Sequence, residues 1–316
     1  MNAMPRPRDL EPSLAETVIE DFIRDGAHLF DRPVDAQACA DLLARVRATR
    51  EFGASLFLTE EEFDVDPQYT GVNPRPGRNL LERFDDQLGF VEQAPQVVDG
   101  ITALLGPDYE ILNKKLVCGI PAASVPDWLK ARILGNPVNN LGAYVRPQYR
   151  DITYFYGIDF HQDLIDWAGR AVNFATLYVY LDEVTSAESP LHVLPGSHRH
   201  GGSVFPLTIE RYEHDRWRYT DDRGRSLTLP ERILTGPPGS AVIWHPCLVH
   251  GTKPNTSGRP RLSLRYLVTQ GPSGGGLLDE VNRTIDGPLR LDVTQRHRDA
   301  DGNVVLKGNT LAESGS

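Results

Sequence analysis

The residues best suited to chemistry lie in "DFHQDLIDWAG" at 159–169, where one residue separates His161 from Asp163. Both side chains are common metal ligands, and residues i and i+2 of a strand point to the same side. A His-x-Asp pair is too short to identify a metal site alone. A second one, His297 to Asp299, lies near the C-terminus. A polar strand end therefore remains the alternative interpretation unless a third ligand supports the first pair.

A third ligand is available in "WHPCLVHGTKPNTSGRPRLSLRYLV" at 244–268. His250 follows one predicted strand and precedes another, and His245 competes with it for the same role. Two histidines and one carboxylate on one face of a metal leave its other positions open. That arrangement is typical of non-haem Fe(II) sites that react with oxygen.

An arginine follows the candidate histidine on the next strand. Arg261 lies eleven residues after His250 and begins an alternating segment in which Ser263 and Arg265 share its face. A guanidinium there could hold a carboxylate through two parallel hydrogen bonds. A dicarboxylate co-substrate could then chelate the metal at one end and be held by arginine at the other.

The composition limits the class of protein. The 316 residues are 40% hydrophobic and 24% charged, as in globular proteins, and no apolar run approaches the roughly 20 residues of a membrane helix. The net charge of −10 argues against nucleic-acid binding. The N-terminal residues lack a secretory signal, and three irregularly spaced cysteines favour reduced thiols, so we expect a cytoplasmic protein. Either a monomer or a dimer is compatible with this composition.

Hydrophobic periodicity predicts flanking helices and a β-rich core. Helical spacing covers 12–25, Asp35 to about Arg50, and 92–105, with a further helix or helical loop at 126–137. Short β-branched and aromatic runs predict the strands of a sandwich or barrel. The basic but acid-rich stretch 211–225 is predicted to be a solvated insertion. We expect one domain, with helical support and a loop over about 1–108, a β core at 109–270 and a flexible or lid-forming tail at 271–316.

Three stretches together resemble the phytanoyl-CoA dioxygenase family of Fe(II)/2-oxoglutarate-dependent oxygenases. They are "HQD" at 161–163, "SPLHVLPGSHRHG" at 189–201 and "GPPGSAVIWHPCLVHGTKPNTSGRPRLSLRYLV" at 236–268, in the order found in the family. The resemblance covers roughly residues 110–270. It implies a mainly β fold with flanking α-helices, whose core is a double-stranded β-helix of the jelly-roll or cupin-like type. One departure is Gly239-Ser240, where the family commonly has Gly-Asp.

The resemblance also implies roles for individual residues. His161, Asp163 and His250 would bind Fe(II), and Arg261 would bind the distal carboxylate of 2-oxoglutarate. Further candidates for the co-substrate, in the order of the chain, are Lys114 or Lys115, Tyr178, Thr252 and Ser263. The pair at 297–299 has no histidine after it, so it does not fit the family order.

The expected activity is hydroxylation or another oxidation of an unactivated C–H bond of a small molecule, with O2 consumed and succinate and CO2 released. An acid at position 163 favours this over halogenation, because halogenating relatives lack that carboxylate. The alternatives are a non-catalytic metal- or ligand-binding jelly roll and a cupin-type Fe(II) dioxygenase that does not use 2-oxoglutarate. Substrate choice is expected to reside in 59–79, 120–150, 203–235 and the tail.

Overall fold

Most of the runs predicted as strands pair into one ten-stranded sheet in the computed structural model, which describes residues 13–66, 69, 73–296 and 310–313. The strands are β1 (Ala27–Phe30), β2 (Glu110–Gly119), β3 (Val138–Asn140), β4 (Thr153–His161), β5 (Phe174–Tyr180), β6 (Leu191–Val193), β7 (Thr208–Glu213), β8 (Arg216–Thr220), β9 (Ser226–Pro230), β10 (Arg232–Leu234), β11 (Ala241–Trp244), β12 (His250–Thr252) and β13 (Arg261–Thr269).

The order of the large sheet is β1-β11-β5-β13-β2-β4-β12-β6-β10, with β3 pairing with β4. The pairs along this path are antiparallel except β2 with β4, which run parallel. Contacts join distant parts of the path: the Tyr180 hydroxyl on β5 donates to the Leu234 carbonyl on β10 at 2.8 Å, and Val184 bridges to Gly236. The sheet therefore curls into a roll with an inner face.

Helices flank the roll, most of them before β2. They are α1 (Leu14–Asp25), α2 (Ala36–Ala48), α3 (Glu60–Val65), α4 (Gly89–Glu92), α5 (Pro95–Leu105), α6 (Asp127–Ile133), α7 (Leu278–Arg283) and α8 (Thr310–Glu313). Local signals set α1: a Ser13–Glu16 capping box starts it, and Gly26 ends it in the left-handed conformation at φ 78°. The helices predicted at 12–25 and from Asp35 match α1 and α2.

Alternation along β13 separates the hydrophobic core from the inner face of the roll. Leu262, Leu264 and Tyr266 are buried in the main core together with residues of the N-terminal helices, whereas Arg261 and Arg265 line a cavity inside the roll. Burying a large apolar side chain contributes about 1.5–3 kcal/mol. The core residues therefore fix the strand, and the strand fixes the direction of both guanidinium groups.

The structure corrects the interpretation of 211–225 as a solvated insertion. Strands β7, β8 and β9 form a separate three-stranded sheet, in which the side chain of Trp217 is fully buried. Its ring packs edge-on against Phe160 of β4, with 4.9 Å between the ring centroids. The arginines and acids of this stretch surround an apolar strip that the charge pattern concealed.

The sequence analysis missed several short elements, among them one strand and one helix of the N-terminal part. Strand β1 extends the large sheet through β11, and α3 lies within the predicted loop 59–79. After residue 270, Leu278 and Val281 of α7 are buried. The division at about 108 and 270 stays a prediction. None of the helices in the described residues has the length and apolar character needed to cross a bilayer.

Candidate metal and co-substrate site

Two antiparallel strands bring the three candidate metal ligands together. His161 ends β4, His250 begins β12, and the two are direct partners in the ladder, with ring centroids 4.2 Å apart. Asp163 follows in the short 3-10 helix Asp163–Asp166. One ligand atom from each residue lies within 4.8 Å of the other two, and all three side chains are buried.

The main chain orients both imidazoles. His161 Nδ1 lies 2.9 Å from the Asp159 carbonyl, and His250 Nδ1 lies 2.9 Å from the Leu248 carbonyl. A carbonyl only accepts, so each Nδ1 carries the hydrogen and donates it. The tautomer thus leaves both Nε2 atoms with a free lone pair, the form in which histidine binds a metal.

Three donors hold the Asp163 carboxylate. Its Oδ2 accepts from the Thr176 hydroxyl at 2.5 Å and from the Trp244 indole at 2.8 Å, and its Oδ1 accepts from Arg265 at 2.7 Å. Although burial alone would raise the pKa of Asp163, the Arg265 guanidinium and the other polar neighbours keep it well below its ordinary value. The carboxylate is therefore ionised at neutral pH.

The donor set fits a divalent transition metal. Burial, together with the neighbouring His250, lowers the pKa of His161 to about 3, so that ring is neutral at pH 7. His250 Nε2 lies 3.7 Å from Asp163 Oδ1, within the roughly 4.2 Å spanned by two ligands each about 2.1 Å from one ion. Two neutral imidazoles and one carboxylate on one side of a cavity are the ligands of a non-haem Fe(II) site.

A cavity of about 450 Å³ opens beside the three ligands. Thr252 of β12, Tyr178 of β5 and Arg261 of β13 line it together with the metal ligands. All three are predicted co-substrate residues, and the structure brings them into the same space as the predicted metal site. Its volume is at the lower end of the usual range of about 300–1,000 Å³ for small-molecule sites.

Arg261 is a buried cation without an acidic partner among the described residues. Its side chain is 2% exposed, and Nη1 donates to the Ser189 carbonyl. The guanidinium carbon lies 5.7 Å from the centre of the Tyr178 ring, and Nε has no hydrogen-bond partner in the described part of the chain. Because a buried charge is costly unless paired, this group is prepared for an anionic ligand.

The structure separates the two neighbouring lysines of β2. Lys114 forms ion pairs with Asp85 and Glu92 on the outer face of the strand, so its ammonium is not brought to the cavity. Lys115 points to the other side and lines the cavity. Ser263 is fully buried between Arg261 and Arg265 but does not line the cavity.

The remaining histidines lie elsewhere. His245 accepts from the Cys247 amide and contacts Asn282 at 2.9 Å, so it is not brought to the metal ligands. The histidines of 192–200 also stand apart from the cluster; His192, for instance, pairs with Glu231. The His297 pair lies outside the described residues.

Sequence reasoning missed the partners of Asp163. Thr176 was given no role, and Arg265 was noted only as sharing a face with Arg261. For Arg265 the signal was available, since it alternates with Arg261 on a strand beside the site. For Thr176 and Trp244 no local pattern existed, because β5 and β11 meet the turn after His161 only in the folded chain.

Comparison with known proteins agrees with this geometry. Residues 22–263 match the model of the phytanoyl-CoA dioxygenase family. L-proline trans-4-hydroxylase of Streptomyces griseoviridis is 35% identical over 203 residues, which are 55% of this chain and 70% of that relative. A probable alpha-ketoglutarate-dependent hypophosphite dioxygenase of Stutzerimonas stutzeri is 33% identical over 103 residues, 32% of this chain and 35% of that relative.

A solved structure supports the fold. The epimerase SnoN, crystallised with Fe3+, alpha-ketoglutarate and nogalamycin RO, superimposes with a TM-score of 0.50 at 15% identity, covering 89% of this chain and 94% of SnoN. The predicted jelly-roll fold and the family resemblance are both confirmed. The family model spans most of the chain, including all three candidate metal ligands and Arg261. The chain therefore belongs to the phytanoyl-CoA dioxygenase family.

Proposed function

We propose that this protein is an Fe(II)- and 2-oxoglutarate-dependent oxygenase that hydroxylates or otherwise oxidises a C–H bond of a small molecule. The observation that carries the proposal is the buried Arg261 without an acidic partner among the described residues, in the same cavity as His161, Asp163 and His250. A non-catalytic jelly roll that binds only a metal would not require a buried cation in the metal cavity, because it has no anionic co-substrate to bind. Family membership supports the same conclusion.

Each side chain of the site has a distinct task. His161, Asp163 and His250 would hold the iron from one side and leave its other positions facing the cavity. Arg261, with the Thr252 hydroxyl beside it, would bind the distal carboxylate of 2-oxoglutarate. When bound, iron and co-substrate supply the oxidising power, with succinate and CO2 released.

The protein environment sets the conditions of the reaction. The indole of Trp244 and the ring of Tyr178 line the cavity near the candidate metal ligands with apolar surface, which limits access of water. The Asp163 carboxylate would hold the metal where halogenation requires chloride, which favours hydroxylation.

The substrate is proposed to be small, and a free amino acid is the first class to test. The cavity is small, and the relative that shares 35% identity is an L-proline hydroxylase. We propose no nucleic-acid partner, given the net charge of −10. A cytoplasmic location is proposed as well, since the three cysteines are buried and free.

The function is tested by incubating purified protein with Fe(II), ascorbate, O2 and 2-oxoglutarate and measuring the succinate formed. The same reaction is run with a panel of free amino acids, L-proline first, and each amino acid is examined for the gain of one oxygen atom. Arg261→Lys should weaken 2-oxoglutarate about 10- to 100-fold, because a lost hydrogen bond to a charged group is worth about 1.5–3 kcal/mol. Arg259→Lys is the matched control, since Arg259 pairs with Glu188 at the surface. Absence of succinate above background with every substrate would exclude the proposed activity.

A further inference from the structure

Two cations of the cavity remain after the metal ligands and Arg261 have been assigned. Lys115 on β2 and Arg265 on β13 are direct partners across the two strands, and both line the cavity. Like charges directly opposite each other in a sheet are destabilising. A pair of this kind inside the roll calls for an anionic group next to it.

Among the described residues, Lys115 has no such group in direct contact. The residue is 4% exposed, and its ammonium donates to the neutral side-chain oxygen of Asn73. Among the described residues no carboxylate lies at salt-bridge distance from it, although lysine is almost never fully buried unless paired. Burial, together with the Arg265 guanidinium, lowers the pKa of Lys115 to about 7. An anion bound beside it would favour the charged form.

Arg265 has hydrogen-bonding capacity left for the same anion. One terminal nitrogen, Nη2, donates to Asp163 Oδ1, and the guanidinium carries five N–H donors in all. Its side chain is 16% exposed, at the edge of the buried site. A carboxylate between Lys115 and Arg265 would therefore meet donors from two strands.

We propose that Lys115 and Arg265 bind a carboxylate of the substrate, and that the molecule oxidised is a small carboxylic acid of the free amino-acid type. This rests on the proposed function, because it takes the iron and Arg261 as the two anchors of 2-oxoglutarate. With these anchors, each carboxylate of the co-substrate has a partner. The second cationic pair then serves a second molecule.

A count of charges supports one carboxylate. The charged residues that line the cavity are Lys115, Arg261 and Arg265 on the positive side and Asp163 and Asp166 on the negative side. The charges of Fe(II) and the 2-oxoglutarate dianion cancel. With Lys115 protonated, one positive charge is left over, which favours a bound carboxylate; the count by itself does not separate a simple carboxylic acid from an amino acid, whose ammonium adds a positive charge.

The position of Asp166 favours an amino acid over a dicarboxylic acid. This residue is exposed at the mouth of the cavity and close enough to Lys115 to stabilise its charge. Its carboxylate would repel a second acidic group and accept a hydrogen bond from an ammonium. Ile158, Ile165 and Tyr144 provide apolar surface for the hydrocarbon part.

Binding without turnover tests the proposal. The protein is loaded with Mn(II) and 2-oxoglutarate and titrated calorimetrically with free amino acids, L-proline first, and with L-prolinamide, which lacks the carboxylate. We expect an amino acid to bind and its amide to bind at least tenfold more weakly. Lys115→Met should weaken the amino acid about 10- to 100-fold and reduce the preference over the amide. Lys115→Arg should retain most of the binding.

Lys114→Met is the matched control, because the neighbouring lysine points to the outer face of β2 and should leave binding unchanged. The 2-oxoglutarate affinity of each variant is measured in the same way. A loss confined to 2-oxoglutarate in Lys115→Met would assign Lys115 to the co-substrate and overturn the proposal. Absence of binding by every amino acid to a wild-type protein that binds 2-oxoglutarate would also overturn it, while leaving the oxygenase function standing. If the wild type binds no 2-oxoglutarate, the proposed function itself fails.

Discussion

The indole of Trp244 is expected to determine how tightly the metal is held, although it is not a ligand. Its Nε1–H donates to Asp163 Oδ2 at 2.8 Å, and both side chains are buried. This contact turns the other oxygen, Oδ1, towards His250 Nε2, 3.7 Å away. Trp244→Phe keeps an aromatic ring against His250 and removes the donor.

The size of the effect follows from the contacts that remain. A hydrogen bond to a charged group contributes about 1.5–3 kcal/mol, a factor of roughly 10–150 in affinity. Thr176 still donates to Oδ2 and Arg265 to Oδ1, so the carboxylate keeps two of its three donors. Loss of a partner that orients a metal ligand usually weakens metal binding about 10- to 100-fold. We therefore expect the Mn(II) dissociation constant to rise about 10- to 100-fold.

The assay is titration of the protein with Mn(II), reading free Mn(II) by electron paramagnetic resonance. Trp167→Phe is the matched control, because that indole packs against Phe174 and Arg170 and not against the ligands. Thermal unfolding checks that each variant is folded. If folded Trp244→Phe binds Mn(II) within twofold of the wild type, the indole does not position Asp163 and the reasoning is refuted.

Other outcomes follow from the same contacts. Amino-acid affinity should fall as the pH rises above about 7, by at most roughly tenfold per pH unit. The reason is that burial and Arg265 lower the pKa of Lys115 to about 7, and the neutral amine cannot pair with a carboxylate. Calorimetry over pH 6–9 measures this slope, and the same slope in Lys115→Met would contradict the prediction. Leu311→Ala should reduce the free energy of unfolding by about 2–5 kcal/mol in urea, because the side chain is fully buried, whereas Leu134→Ala at an exposed position should change it little. Gly251→Ala should weaken Mn(II) binding and lower the melting temperature, because its Cβ would lie 2.8 Å from a carbonyl oxygen of β4; unchanged values would show that β12 can move away without cost.

The candidate metal ligands were predictable because they lie in two strands and the turn after the first of them, in a short, ordered pattern. His161 and Asp163 are two residues apart, and the family resemblance favoured His250 over His245, because Arg261 follows His250 at the offset expected in the family. The elements of the core were predictable for a related reason, since β2, β4, β5, β11 and β13 are apolar runs bounded by turn residues.

The remainder depended on contacts between segments far apart in sequence. To choose between Lys114 and Lys115, one has to know which face of β2 is turned towards the hydrophobic core. Strand β13, which is far from β2 in the sequence, and the N-terminal helices determine that face. The burial of Trp217 was hidden because the charged residues around it dominate the composition of 211–225. Strand β1 was missed because four residues give too little periodicity; it is a strand because β11 offers it a free edge.

The two imidazoles take their orientation from carbonyl groups of their own chain segments, two residues earlier in each case. No side chain can be exchanged to remove those acceptors. A directed-evolution library that randomises the residues around the mouth of the cavity should therefore change which molecules are accepted while the histidine geometry is inherited unaltered. New substrates for this enzyme should therefore be sought by changing the residues that line the cavity. The carboxylate of Asp163 is held by the side chains of Thr176, Trp244 and Arg265, so such libraries must leave these three residues unchanged.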